Sequence, residues 1–247
     1  MAKRTEGSPI QRRAASLSKG GLLVALCLGS ILASRASAAD SSELWPDVEA
    51  FVRLNPRSRI YSNVAYAEGR ESDTQSLDLT AALDLSIRPI VRKSLRTEDW
   101  QRSRFLWARV GYTRVDKVDD GVRKTPEDRM FVQLLAKAEL PAEIWIEARA
   151  RTDFRWIGDD YSNRYRVRLE ATREFTVRGH AVVPFFKAEW FYDTRYDGWS
   201  RALYQAGPEI TFSKRFRLEP YLSRQIDRLP ADETVNALGI TAKLYFR

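Results

Sequence analysis

The sequence predicts an antiparallel transmembrane β-barrel of ten to twelve strands, and three observations carry that prediction. Long segments alternate apolar and polar residues with period two, as an extended chain must if it buries one face, because its successive side chains point to opposite sides. These segments exceed the roughly 5 to 6 residues usual for strands of soluble proteins and reach the about 9 to 11 that a tilted strand needs to cross a bilayer. The amino terminus reads as an export signal, and nothing after it approaches the roughly 18 consecutive apolar residues of a spanning helix.

Residues 1–38 are set apart by their own pattern. Lys3, Arg4, Arg12, Arg13 and Lys19 precede the apolar run Gly21 to Ala33, and Ala36-Ser37-Ala38 offers a small-x-small cleavage site. That is a secretory signal peptide cleaved before Ala39, leaving residues 39–247 as a single barrel domain. The pair Arg12-Arg13 is followed by Ala14, Ala15 and Ser16, a poor match to a twin-arginine signal, so ordinary secretion is preferred. Cys27 lies inside the apolar run behind the large Leu26 and belongs to the signal rather than to a lipoprotein site. The chain carries 41 Lys+Arg and 33 Asp+Glu, a net charge of +8. Six of those bases and one acid lie in the signal, which leaves +3 for the rest, with acids and bases interleaved along the same segments. A nucleic-acid surface needs its basic excess on one face, so nucleic acid is not an expected partner. The one cysteine goes with the signal, which excludes a disulfide framework and a thiolate metal site.

The strands follow in order. Trp45 to Leu54 sets Val48, Ala50, Val52 and Leu54 against Asp47, Glu49 and Arg53, then turns at Asn55-Pro56-Arg57-Ser58. Arg59 to Glu68 is a weaker strand, and Gly69 to Thr74 is a polar loop. Gln75 to Arg88 alternates cleanly, with Leu77, Leu79, Leu83, Leu85 and Ile87 on one face. Pro89 to Ser103 is charged and ambiguous. Arg104 to Val115 resumes the pattern, and Asp116 to Asp128 is a charged loop. Arg129 to Leu140 turns at Pro141-Ala142 into Glu143 to Trp156, the clearest strand of all: Ile144, Ile146, Ala148, Ala150, Thr152 and Phe154 on one face, charges on the other. Trp156 to Asn163 is expected as a longer loop, followed by Arg164 to Phe175, a short turn at Arg178-Gly179, and His180 to Asp193. Thr194 to Trp199 is a loop. Ser200 to Phe212, Phe216 to Asp227 and Val235 to Phe246 complete the chain. Eleven strands are read. Bacterial single-chain barrels usually have even counts, so twelve is the expectation by parity, with Pro89 to Ser103 as the place for a missing one.

Turn lengths in the second half alternate, short at Pro141, Gly179 and Lys214 and longer at Asp159, Asp197 and Pro230, as between the periplasmic and external sides of an outer-membrane barrel. Phe154, Tyr165, Trp190, Tyr192, Phe212 and Phe246 collect near strand ends on the apolar parity and fit interfacial girdles. A soluble periplasmic sandwich or ligand-binding barrel also alternates, but strand length and the density of charge on one parity favour the membrane.

The last strand, Leu238-x-Ile240-x-Ala242-x-Leu244-x-Phe246, resembles the one that outer-membrane barrels present to their assembly machinery, departing from it at Thr241 and Arg247. With Glu43-Leu44-Trp45-Pro46-Asp47 at the start and Asn163 to Glu170 in the middle, the chain resembles DUF2490, a family of Gram-negative outer-membrane barrels of unknown function. That resemblance implies a fold, an outer-membrane location, and lipid and the assembly machinery as partners. It carries over no catalytic residue.

Two neighbouring strands hold the unusual charges: Glu147, Arg149, Arg151, Asp153 and Arg155 on one, Arg164, Arg166, Arg168 and Glu170 on the next. One reading is a porin-like constriction for a small anionic solute, since rings of Arg attract anions. The other is a cross-strand ladder in which Arg and Glu neutralise each other, each opposite pair contributing about 0.2 to 1 kcal/mol. The ladder is preferred, in a small pore or a structural barrel. A lipid-modifying or hydrolytic enzyme is the alternative, but a base beside a nucleophile is usually a histidine, and His180 stands alone beside Gly179 in a turn. No cofactor is expected, and no metal: Asp119-Asp120, Asp159-Asp160 and Asp193 with Asp197 lack the spacing of a calcium loop.

Overall fold

The structure, a computed structural model, describes residues 40–69, 74–88, 105–230 and 232–246. The signal-peptide reading and the segment Pro89 to Ser103 lie outside the described residues. Thirteen strands are present: β1 (Asp40–Asn55), β2 (Ser58–Gly69), β3 (Gln75–Arg88), β4 (Leu106–Asp119), β5 (Val122–Arg123), β6 (Glu127–Leu140), β7 (Ile144–Ile157), β8 (Asp160–Arg173), β9 (Phe175–Val177), β10 (His180–Asp193), β11 (Gly198–Thr211), β12 (Phe216–Asp227) and β13 (Glu233–Phe246). β5 and β9 are short pieces at hairpin ends. The other eleven form a closed ring, with β10 meeting both β8 and β11 and with β13 meeting β1.

Every neighbouring pair in the ring is antiparallel except β1 and β13, which run parallel from Asp40↔Thr234 to Val52↔Phe246. Eleven strands require this, because a meander with an odd number of strands ends in the direction in which it began. The count is therefore the one read from the segments, and the parity expectation of twelve is corrected. Parity fails because a parallel ladder, only slightly less stable per residue than an antiparallel one, closes the ring. β3 pairs directly with β4, so the described strands complete the wall. Followed once round the ring, paired residues return displaced by about fourteen positions, the stagger that goes with a tilt of about 40°.

Alternation decides what faces where. Outward positions are apolar and solvent-accessible, such as Leu79, Leu85, Val132, Leu134, Val167 and Leu169, each more than 40% exposed. Inward positions are polar, and Asp84, Asp153 and Asp193 are fully buried. The distribution is that of a soluble protein turned inside out. Aromatic rings fill part of the interior: Phe131 lies over Gly111 and Tyr221 over Gly239, where a Cβ would overlap them.

One stretch of wall is paired less completely. β11 and β12 pair as far as Ala206↔Leu222 and resume at Ile210↔Leu218. Pro208 and Pro220 lie in the interval, and proline has no N–H to donate. Pro184 pairs with Pro208, Pro220 with Ile240, and Ile240 with Pro46, so the prolines form a row across five adjacent strands.

The expected asymmetry of turns is not found among the described residues. β7 runs on to Ile157 and β8 starts at Asp160, so the longer loop expected at Trp156 to Asn163 is a two-residue turn at Gly158-Asp159. Gly158 has φ +60°, which suits the first position of a tight hairpin turn whose twist matches its strands. Arg178-Gly179 is equally short, with both φ values positive.

Candidate functional site

The lumen is the candidate site. All nine charges predicted on β7 and β8 are on the inward parity, and the register decides how they meet. Arg149 stands opposite Arg168, Arg151 opposite Arg166 and Glu147 opposite Glu170; only Asp153 and Arg164 oppose each other with unlike charge. The ladder neutralises itself only in part, and not through directly opposed pairs. Like charges directly opposite repel, and the compensation comes from diagonals and from other strands. Glu189 of β10 accepts from Arg149 and Arg166, each at 2.6 Å. Asp153 accepts from Arg151 at 2.5 Å, and Glu147 from Arg168 at 2.9 Å and Lys137 at 3.1 Å. Arg155 pairs with both Glu127 and Asp193, and Arg164 reaches Asp193 at 3.0 Å. Glu170 lies 3.5 Å from Arg168. Glu127 and Glu189 were missed by the sequence reading, and Asp193 was weighed there only for calcium. Their inward parity was the available signal.

Two cavities lie on either side of these pairs. A cavity of about 570 Å³ extends from Trp145 and Glu174, at the rim where β13 ends, to Arg129, Arg151 and Arg166. A second, of about 500 Å³, lies at the rim of the Gly158 turn and reaches Arg155, Arg164 and Glu127. The two share no lining residue. Glu127 sits at the boundary, held at 2.6 Å by Arg129 from one cavity and by Arg155 from the other. Buried ion pairs hold their geometry because breaking one strands a charge away from water, so Arg129, Glu127, Arg155 and Asp193 act as a fixed partition. Six basic residues line the second cavity against three acidic ones, and Asp193 and Asp119 behind them pair with Arg155, Arg164 and Lys124.

The remaining predicted residues are spread over the outer wall. Phe154, Tyr165, Trp190 and Tyr192 lie within a few residues of the Gly158 rim, and Phe212 and Phe246 at the opposite rim. Tyr165 and Tyr192 are 6.3 Å apart by ring centroids, and Tyr192 and Trp199 5.8 Å. His180 opens β10, exposed, with Nδ1 3.3 Å from the Thr211 carbonyl oxygen. Asp193, considered for calcium, is taken up by arginines, and no group of three or more His, Cys, Asp or Glu among the described residues is placed to share a metal.

Comparison with known proteins gives a family and a weak structural likeness. A family described as "Protein of unknown function (DUF2490)" matches residues 43–236. No curated protein matches. Among solved structures, the β domain of the Bordetella autotransporter BrkA is similar, at 14% identity and a TM-score of 0.43, over 72% of this chain and 80% of that one.

Proposed function

Because the chain belongs to the DUF2490 family, whose function is unknown, its role has to be read from the barrel itself, and we propose a non-enzymatic outer-membrane barrel that passes small anions past a charged partition. The observation that carries this reading is the pairing of a closed wall, apolar outside, with a charge-paired partition of arginines and carboxylates inside. The outward residues meet lipid tails, and the aromatics at the two rims sit at the headgroup levels. The amino-terminal signal takes the chain across the inner membrane, and β13, ending at Phe246, engages the assembly machinery. Anions enter at the mouth near the Gly158 turn and meet Arg155 and Arg164. The partition keeps the conductance small.

Planar-bilayer recording in a salt gradient, with protein purified from the membrane, tests this. Low-conductance channels with anion preference are expected, and removing the partition with Glu127→Ala and Arg155→Ala together raises the conductance severalfold. A large cation-selective conductance, or silence in both proteins, overturns it.

A further inference from the structure

Opposite walls of the 570 Å³ cavity carry opposite charge. β7 and β8 present Arg149, Arg151, Arg166 and Arg168 to it against Glu147 and Glu170, a positive excess. β1, five strands from β7 one way round the ring and six the other, presents Asp47 and Glu49. Among the described residues their hydrogen bonds come from neutral donors: Asp47 accepts from the Asn63 amide and, at 3.5 Å, from Thr241 Oγ1, and Glu49 accepts from the Tyr61 hydroxyl at 3.0 Å, while Lys243, opposite Glu49 on β13, donates to Glu209 and Glu219 instead.

The same cavity holds polar atoms left over. Nε of Arg149 and Nε of Arg168 are buried donors without an acceptor, and Oε1 of Gln133, a residue 2% exposed, is a buried acceptor without a donor. Leaving such a group unpaired is destabilising, and buried groups of this kind call for an explanation. These donors lie on the basic wall, and Asp47 and Glu49, which make no ion pair among the described residues, lie across from them.

We propose that this cavity binds a small zwitterion, with its carboxylate at Arg149 and Arg168 and its protonated amine at Asp47 and Glu49. The inference rests on the reading of the lumen as a solute compartment and adds the class of solute. A simple anion satisfies the arginines and leaves Asp47 and Glu49 unmatched, whereas a simple cation is repelled by four guanidiniums. A molecule carrying both charges aligns with the field between the walls and meets a counter-charge at each end. The volume lies within the roughly 300 to 1,000 Å³ of small-molecule pockets. Because the partners stand on opposite walls, amine and acid must be several bonds apart, so an ω-amino acid fits better than an α-amino acid.

Trp107 and Trp145 line the cavity, so their fluorescence, with titration calorimetry beside it, reads binding to membrane-purified protein. The probes are 6-aminohexanoate, hexanoate and hexylammonium. Saturable binding of 6-aminohexanoate at least tenfold tighter than either singly charged probe is expected. Asp47→Asn with Glu49→Gln brings its Kd to that of hexanoate, while heat-modifiable gel mobility verifies that the variant is folded. Equal affinity for hexanoate or hexylammonium overturns the proposal, as does the absence of saturable binding to folded protein. Binding without conductance removes the pore reading alone, and conductance without binding removes only the zwitterion site.

Discussion

Glu127 is 5% exposed and shared by two guanidiniums, which makes it the residue on which the partition depends. Glu127→Gln leaves Arg129 and Arg155 without their common counter-charge, and stranding buried charge costs about 3 to 5 kcal/mol. The expected result is a lower urea midpoint for the mobility shift of the folded barrel in vesicles. Asp128, the next residue, points outward and pairs with the half-exposed Arg114 at 2.8 Å. Exposed pairs contribute little, so Asp128→Asn leaves that midpoint unchanged. The inward parity of the nine charges on β7 and β8 was legible, because alternation needs only one strand. Their partners were not. Whether Arg149 faces Glu170 or Arg168 depends on register, and register on the Gly158 turn; Glu189 and Asp193 belong to a third strand that no local pattern connects to the first two.

The unevenly paired stretch between β11 and β12 is a property of those elements rather than of a single side chain. Backbone amides at Gly207, Glu209, Glu219 and Tyr221 lie between the paired ends of the ladder. Amides that open locally exchange faster than those in a continuous ladder. Hydrogen exchange read by mass spectrometry should therefore show residues 207–209 and 219–221 less protected than Ala202–Ala206 and Leu222–Ile226; equal protection contradicts the assignment of a weak interval. Element boundaries were legible where apolar alternation stopped at strong turn residues, and His180 to Asp193 and Phe216 to Asp227 are the observed strands. They were misread at Trp156 to Asn163, where Asp160, Tyr161, Ser162 and Asn163 carry loop chemistry in composition but still alternate inward and outward. The hairpin there needed only Gly158-Asp159 to reverse the chain.

At the scale of the molecule, closure was the part hidden from sequence. Strand length and alternation identify a barrel one segment at a time, whereas the count becomes definite only when the first strand meets the last. With eleven strands, the start of β1 and the end of β13 lie on opposite rims. An epitope inserted before Asp40 and another placed after Arg247 should be reached by protease from opposite sides of a sealed vesicle; cleavage of both from one side excludes the parallel seam. The seam also bears on descent. Duplicating or deleting a β-hairpin changes the strand number by two, so no series of hairpin gains connects an even-stranded ancestor with this barrel. A lineage that arrived here had to gain or lose a single strand, and with it move one end of the chain to the opposite rim of the barrel.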